Sequence, residues 1–188
     1  METVPAVDDA ALVEGARAGR REDFDTLVER YQRPLYAFAY RFVHDHGHAA
    51  DIVQATFLQA YTHLGQFAGR ASFKTWLYQI ALNQCHALQR AAAGRPHVSL
   101  DDVSETRLRE TTLAAVDPGA RASGWRSTLE RLIDRLPLRQ RAVLVLRVFS
   151  DLAFKDIARV EGISENSAKV NYHYAITRLR QWLRELDT

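Results

Sequence analysis

Cysteine is nearly absent from this chain, because Cys85 is the single one among 188 residues. One thiol cannot form an intrachain disulfide or supply the several thiolates of a structural zinc or iron-sulfur site. No apolar run approaches the roughly 18 residues of a membrane span, and the N-terminus lacks the basic start and apolar stretch of a secretion signal. The sequence therefore predicts a cytoplasmic protein with no metal site, no cofactor and no insertion into the membrane.

Net charge is small as well, since 25 Lys+Arg residues nearly balance 23 Asp+Glu residues. This balance, with a hydrophobic fraction of 47%, excludes a disordered chain and a histone-like polycation. The balance is uneven along the chain: residues 126–188 carry 12 basic and 8 acidic side chains, whereas residues 1–90 carry 9 and 10. The C-terminal third is therefore the part whose charge suits nucleic acid.

Glycine and proline are few, with nine and five residues, and five of these fourteen lie between residues 92 and 124, where apolar periodicity is lost. Such a stretch is typical of a linker. Elsewhere the apolar residues recur at helical spacing, and alternating strand patterns are not sustained. The sequence predicts an all-α fold with two small helical domains, residues 1–92 and 125–188, joined by a flexible linker over residues 93–124.

Three amphipathic helices are predicted before the linker. Their apolar stripes run from Phe24 to Phe42, from Ile52 to Leu64 with Tyr61 included, and from Phe73 to Leu88. An earlier, weaker helix is predicted to begin after Asp8, whose carboxylate is suited to capping. After the linker, one packing helix ends at Pro137 and another follows through Phe149.

The segment from Phe154 onward has the order of a helix-turn-helix: a short helix, Gly162, and a long helix beginning near Ser164. Glycine ends a helix without steric cost in the left-handed conformation, and serine is a preferred N-cap. The outward face of the long helix is rich in hydrogen-bond donors, as a helix that enters the major groove requires. An ordinary helical hairpin with a solvated face is the alternative.

Two motif blocks occur in one chain. The first comprises DIVQATFLQAY (Asp51 to Tyr61) and FAGRASFKTWLYQIALNQC (Phe67 to Cys85), and the second runs from Leu136 to Arg180. The first resembles the second region, a helical bundle, of the extracytoplasmic-function (ECF) sigma factors of bacterial RNA polymerase, and the second resembles their fourth region, a helix-turn-helix domain. The resemblance implies a transcription initiation factor that has no catalytic activity of its own.

The resemblance also implies the partners: core RNA polymerase, through the clamp helices of its largest subunit and its flap, promoter DNA, and an anti-sigma factor. That factor would hold the protein at the inner membrane if it is itself membrane-bound. The residues implied in polymerase docking are Asp51, Gln54 and Phe57. Ala55 stands where the family usually has glutamate, which removes one expected polar contact.

Recognition and melting of the minus-10 element are implied for the loop Phe67 to Ser72 and the helix after it. A pocket with cationic support is needed to hold an extruded base. The residues that match the family's DNA-binding positions are Gly69, Arg70, Lys74, Trp76 and Asn83. Trp76 has two interpretations, core packing and base stacking.

Recognition of the minus-35 element is implied for the second helix of the helix-turn-helix. The positions facing or adjoining DNA are Lys169, Val170, Asn171, His173, Tyr174 and Arg178. The segment reads KVNYHYAITRL where the commoner pattern is KSRLHRARRRL, so several arginines are lost. Fewer cations predict a shallower salt dependence of DNA binding for this domain.

Three alternatives stay open from the sequence. The histidines His44, His46 and His48 invite a metal site, but no second ligand set has a recognised spacing, and a polar turn is the simpler reading. A helix-turn-helix regulator with a receiver domain would require strands in the N-terminal half. A sigma-like module that binds an anti-sigma factor without promoter activity would keep the helices and lose the DNA-facing residues.

Overall fold

Helices make up the regular structure of the protein in the computed structural model, which describes residues 7–92 and 124–186. The first group of helices is α1 (Asp9–Arg17), α2 (Arg21–Val43), α3 (His46–His63) and α4 (Phe73–Ala92), with a 3-10 turn at Leu64–Gln66. The second group is α5 (Gly124–Asp134), α6 (Leu138–Val148), α7 (Phe154–Glu161) and α8 (Glu165–Leu186). No strand occurs within the described ranges, and the predicted all-α fold is confirmed.

The first four helices form a bundle around α2, the longest of them. Its apolar stripe is buried, and Phe38 meets Tyr78 of α4 nearly edge-on with ring centroids 5.1 Å apart. Helix α1 is held to α2 by Asp9, which accepts hydrogen bonds from Arg30 and Tyr31. Asp8 does occupy the N-cap position of α1, but its side chain makes no capping hydrogen bond, so that part of the expectation is wrong.

The second group of helices is built around α6. All residues from Arg141 to Leu146 are buried, because the helix is covered by both α7 and α8. Pro137 stands between α5 and α6, and Gly162 ends α7 in the left-handed conformation, at φ 67°. The break between helices at Pro137 and the helix-turn-helix order are thus confirmed.

The two groups of helices pack directly on each other, α4 against α7 and α2 against α6. Arg141 lies at the centre of this contact and is 8% exposed. Its guanidinium is 3.0 Å from Asp134 Oδ1, donates to the carbonyl of Arg41, and lies 5.2 Å from the ring centroid of Phe42. His44 Nε2 is 2.8 Å from the same oxygen of Asp134. We call Arg41, His44, Asp134 and Arg141 the interdomain clasp.

Two ionisable groups carry buried polar atoms without partners. Nε2 of His86 on α4 and Oε1 of Glu161 on α7 are buried and make no hydrogen bond. Burial, together with the charges of Arg90 and Arg139, lowers the pKa of His86 to about 4. Burial raises the pKa of Glu161 to about 7, although Arg139 opposes this shift. Burial therefore disfavours the ionised form of both groups.

Candidate nucleic-acid interface

The helix-turn-helix is shaped by capping residues that the sequence identifies correctly. Ser164 precedes α8, and its Oγ accepts a hydrogen bond from the backbone N–H of Ser167 at 3.0 Å. The inner face of α8 buries Ala168, Ala175 and Leu179. The opposite face of α8 is open to solvent and lacks any covering element in the described part of the chain.

The six residues implied in minus-35 recognition divide into two groups by their contacts. Lys169, Val170, His173 and Tyr174 are exposed on the outer face of α8. Asn171 is half-buried and donates to the carbonyl of Ser167 at 2.9 Å, and Arg178 donates to Gln140 Oε1 at 3.0 Å. The structure therefore brings the first four together and directs the other two toward the protein itself.

The four exposed residues are not equivalent in charge. Lys169 Nζ is 2.7 Å from Glu165 Oε1, one turn earlier on α8. The rings of His173 and Tyr174 are 6.3 Å apart, and Tyr174 is 54% exposed. An exposed ion pair such as Lys169–Glu165 is weak enough to exchange for a phosphate contact. The surface is amphipathic: it offers one paired cation, one imidazole and two apolar side chains.

The residues implied in minus-10 recognition lie along the loop before α4 and on its exposed side. Gly69 has φ 66°, a conformation that a side chain would strain. Arg70 and Asn83 are exposed, whereas Lys74 is half-buried. The loop ends at Ser72, whose Oγ accepts from the backbone N–H of Thr75 at 3.1 Å and so caps α4. The sequence predicts Ser72 only as the end of the loop, although a serine just before an apolar helical stretch is a preferred N-cap.

Trp76 combines features of both interpretations. Its ring packs on Phe67 and Phe73, with centroids 5.0 Å and 6.0 Å away, so one side belongs to an aromatic cluster under the loop. The residue is only half-buried. Packing is the role that the contacts show, and base stacking on the remaining surface stays a prediction.

The face of α3 implied in polymerase docking is partly as expected. Asp51 and Gln54 are exposed, but Phe57 is 8% exposed and its ring meets Phe24 edge-on at 6.5 Å. Phe57 therefore packs in the core of the bundle and supports the docking face from below, and its part in polymerase docking stays a prediction.

Two apolar residues on this face escaped sequence reasoning. Leu58 is 67% exposed, and Tyr61, expected in the buried stripe, is 52% exposed although its ring contacts Phe24. Spacings of three, four and seven residues place Asp51, Gln54, Leu58 and Tyr61 on one side of the helix. The available signal was Leu58 itself, an apolar residue on a side that the periodicity assigns to solvent.

The histidines near the start of α3 have separate partners. His44 joins the interdomain clasp, His46 Nδ1 is 2.5 Å from the hydroxyl of Tyr36, and His48 Nδ1 is 3.1 Å from Asp45. The backbone N–H of His48 lowers the pKa of Asp45, which caps α3. Across residues 7–92 and 124–186, no three His, Cys, Asp or Glu side chains are grouped to hold a metal ion.

The length and apolar character of a helix determine whether it can cross a membrane. Within the described residues, none of the helices has the length and apolar character that crossing a bilayer requires.

Comparison with known proteins places these surfaces in two family regions. Residues 27–95 match Sigma-70 region 2, and residues 126–179 match Sigma-70 region 4. The RNA polymerase sigma-H factor of Pseudomonas aeruginosa is 36% identical over 158 residues, which cover 81% of each chain. The ECF RNA polymerase sigma factor SigM of Mycobacterium tuberculosis is 30% identical over 184 residues, covering 96% of this chain and 87% of that one.

Solved structures agree at the level of the fold. CnrH, in complex with the cytosolic domain of CnrY, has a TM-score of 0.71 at 23% identity and covers 94% of this chain and 97% of its own. The sigma factor RpoE of Bartonella quintana, bound to the anti-sigma factor NepR, has a TM-score of 0.66 at 21% identity, covering 87% and 98%. With both regions present in order and relatives at this identity, the chain belongs to the ECF sigma factors of bacterial RNA polymerase.

Proposed function

We propose that this protein binds core RNA polymerase through α3, recognises a minus-10 element through α4 and the loop before it, and recognises a minus-35 element through α8. The observation that carries the proposal is the presence of both sigma regions in one chain with the outer faces of these three helices exposed. The polymerase performs the chemistry, and this chain supplies promoter recognition and assistance in melting.

We call the two groups of helices, α1–α4 and α5–α8, the two halves of the protein. Simultaneous recognition of both elements requires these halves to separate. The element names imply centres about 25 base pairs apart, which is about 85 Å at 3.4 Å per base pair. A compact chain of this length has a radius of gyration of only about 16 Å. The 31 residues between α4 and α5 can span about 100 Å when fully extended, enough for the separation. We therefore expect the interdomain clasp to open on the promoter.

Control by an anti-sigma factor belongs to the same proposal. CnrH and RpoE, the fold neighbours, were each solved with another protein bound, and NepR is named an anti-sigma factor. We infer that a partner of this class holds the present chain inactive, in the cytoplasm or at the inner membrane according to the anchoring of that partner. The rival regulator with a receiver domain is disfavoured, because residues 7–92 form helices and no strand.

The test is run-off transcription with purified core polymerase and genomic promoter fragments, together with a core-binding assay. Replacing Lys169 and His173 by alanine removes two exposed polar groups from α8 and is expected to lower promoter-specific transcript at least tenfold, since base contacts contribute about 1–3 kcal/mol each. Core binding should stay unchanged.

Variants on α3 provide the reciprocal test. Replacing Asp51 and Gln54 by alanine should weaken core binding, whereas Glu29→Ala, at an exposed position on α2, is the matched control and should alter neither readout. Retention of core binding without any promoter-specific transcript would support the decoy module instead. If the wild-type protein neither binds core polymerase nor supports promoter-specific transcription, the sigma function is excluded.

A further inference from the structure

The outer face of α8 carries an aliphatic side chain and an aromatic ring in the place where base-reading groups are expected. Val170 is 41% exposed and Tyr174 is 54% exposed. They are four residues apart, so they lie one above the other on the same side of the helix. No described element of the protein covers them, and the nearest ring contact of Tyr174 is its neighbour His173.

The polar side chains around this pair are largely engaged within the protein. Lys169 pairs with Glu165, Asn171 donates to the carbonyl of Ser167, and Arg178 donates to Gln140. These contacts fix the positions of the three side chains and use part of their hydrogen-bonding capacity. Val170 and Tyr174 are exposed and need no rearrangement to meet a ligand.

The chemistry of the major groove restricts what this pair can recognise. The apolar group that a base pair presents there is the C5-methyl group of thymine, and it is contacted by apolar side chains. Cytosine has hydrogen at the same carbon and adds an amino donor, which an apolar surface leaves without a partner. We propose that Val170 and Tyr174 form a thymine-reading pair, so that the minus-35 element of this protein's promoters contains thymine methyl groups opposite them. This inference rests on the proposed function.

Replacing thymine by deoxyuridine tests the idea, because the substitution removes only the C5-methyl group. A promoter fragment found by run-off transcription is synthesised with uracil in place of every thymine of the minus-35 element, on both strands. Holoenzyme containing the full chain is expected to bind the uracil fragment about fourfold more weakly for each methyl contact, the effect of losing one buried methyl group. Uracil placed in the spacer between the two elements is the control and should have no effect.

Variants of the protein complete the test, because they remove the protein side of the same contact. Val170→Ala should weaken binding to the thymine fragment and reduce the further loss caused by uracil, because protein and DNA methyl groups act on each other. Tyr174→Ala removes the ring and should resemble Val170→Ala. Glu185→Gln, at an exposed position near the far end of α8, is the matched control for an effect on the helix.

The outcomes separate this inference from the function on which it rests. Promoter-specific transcription with equal affinity for thymine and uracil fragments would overturn the thymine-reading pair and leave the sigma function intact. A minus-35 element without thymine would overturn it as well. If no fragment supports transcription and core polymerase is not bound, both the proposed function and this inference are excluded.

Discussion

Replacing Glu161 by glutamine is expected to stabilise the protein by about 3 kcal/mol at pH 8, an unusually large gain for one atom exchanged. Oε1 of this carboxyl group, at the end of α7, is buried and has no hydrogen-bond partner. Burial raises its pKa from 4.5 to about 7 against the opposing charge of Arg139. Each pKa unit corresponds to about 1.4 kcal/mol, so ionisation in the folded state costs about 3 kcal/mol.

The sign of the pH dependence follows from proton counts. Between pH 4.5 and 7 the unfolded chain has released this proton and the folded protein still holds it. The contribution of Glu161 to the free energy of unfolding therefore falls as pH rises through this window, and the penalty is complete above pH 7. Glutamine is always neutral, so Glu161→Gln should gain most at pH 8 and less than 1 kcal/mol at pH 5, where the carboxyl group is mostly protonated in the fold.

Urea unfolding at pH 5, 6.5 and 8, followed by circular dichroism, measures this gain. Glu29→Gln removes an equivalent charge from an exposed position of α2 and should leave stability within about 0.5 kcal/mol. A loss of stability in Glu161→Gln at pH 8 would mean that the carboxylate has a stabilising partner, contrary to the structure.

Much of the fold could be predicted from the sequence because its determinants are local. Apolar spacing identifies α2, α3 and α4, and Gly162 with Ser164 identifies the turn of the helix-turn-helix. Helix periodicity and capping depend on residues within one or two turns, which a single sequence displays directly. The exposed positions of Lys169 and His173 on α8 follow from the same periodicity.

The contact between the halves could not be predicted in this way. Arg141 reads as an ordinary solvated arginine at the start of α6, yet it bonds to the carbonyl of Arg41, 100 residues earlier. Phe57 and Tyr61 fall on one predicted stripe, but the first is buried and the second exposed, because the bundle covers only part of that stripe. Such outcomes depend on which distant surfaces meet, and local spacing carries no information about that.

Replacing His86 by leucine is expected to show the opposite pH profile. The imidazole is buried on α4 with its pKa lowered from 6.5 to about 4, so the folded protein keeps it neutral while the unfolded chain takes up a proton on acidification. The contribution of this group to the free energy of unfolding therefore decreases as pH falls from 6.5 to 4. His86→Leu removes this pH-dependent contribution. The substitution should therefore be about 2 kcal/mol more favourable to stability at pH 5 than at pH 8.

Combination of the two variants tests whether both groups act independently. In the wild type the opposing slopes cancel between about pH 4.5 and 6.5, each about 1.4 kcal/mol per pH unit. Glu161→Gln alone should expose a rise with pH, His86→Leu alone a fall, and the double variant a flat profile again at higher stability. His63→Leu, at an exposed position on α3, is the matched control. A flat profile in both single variants would show that neither group is buried in solution, contrary to the structure.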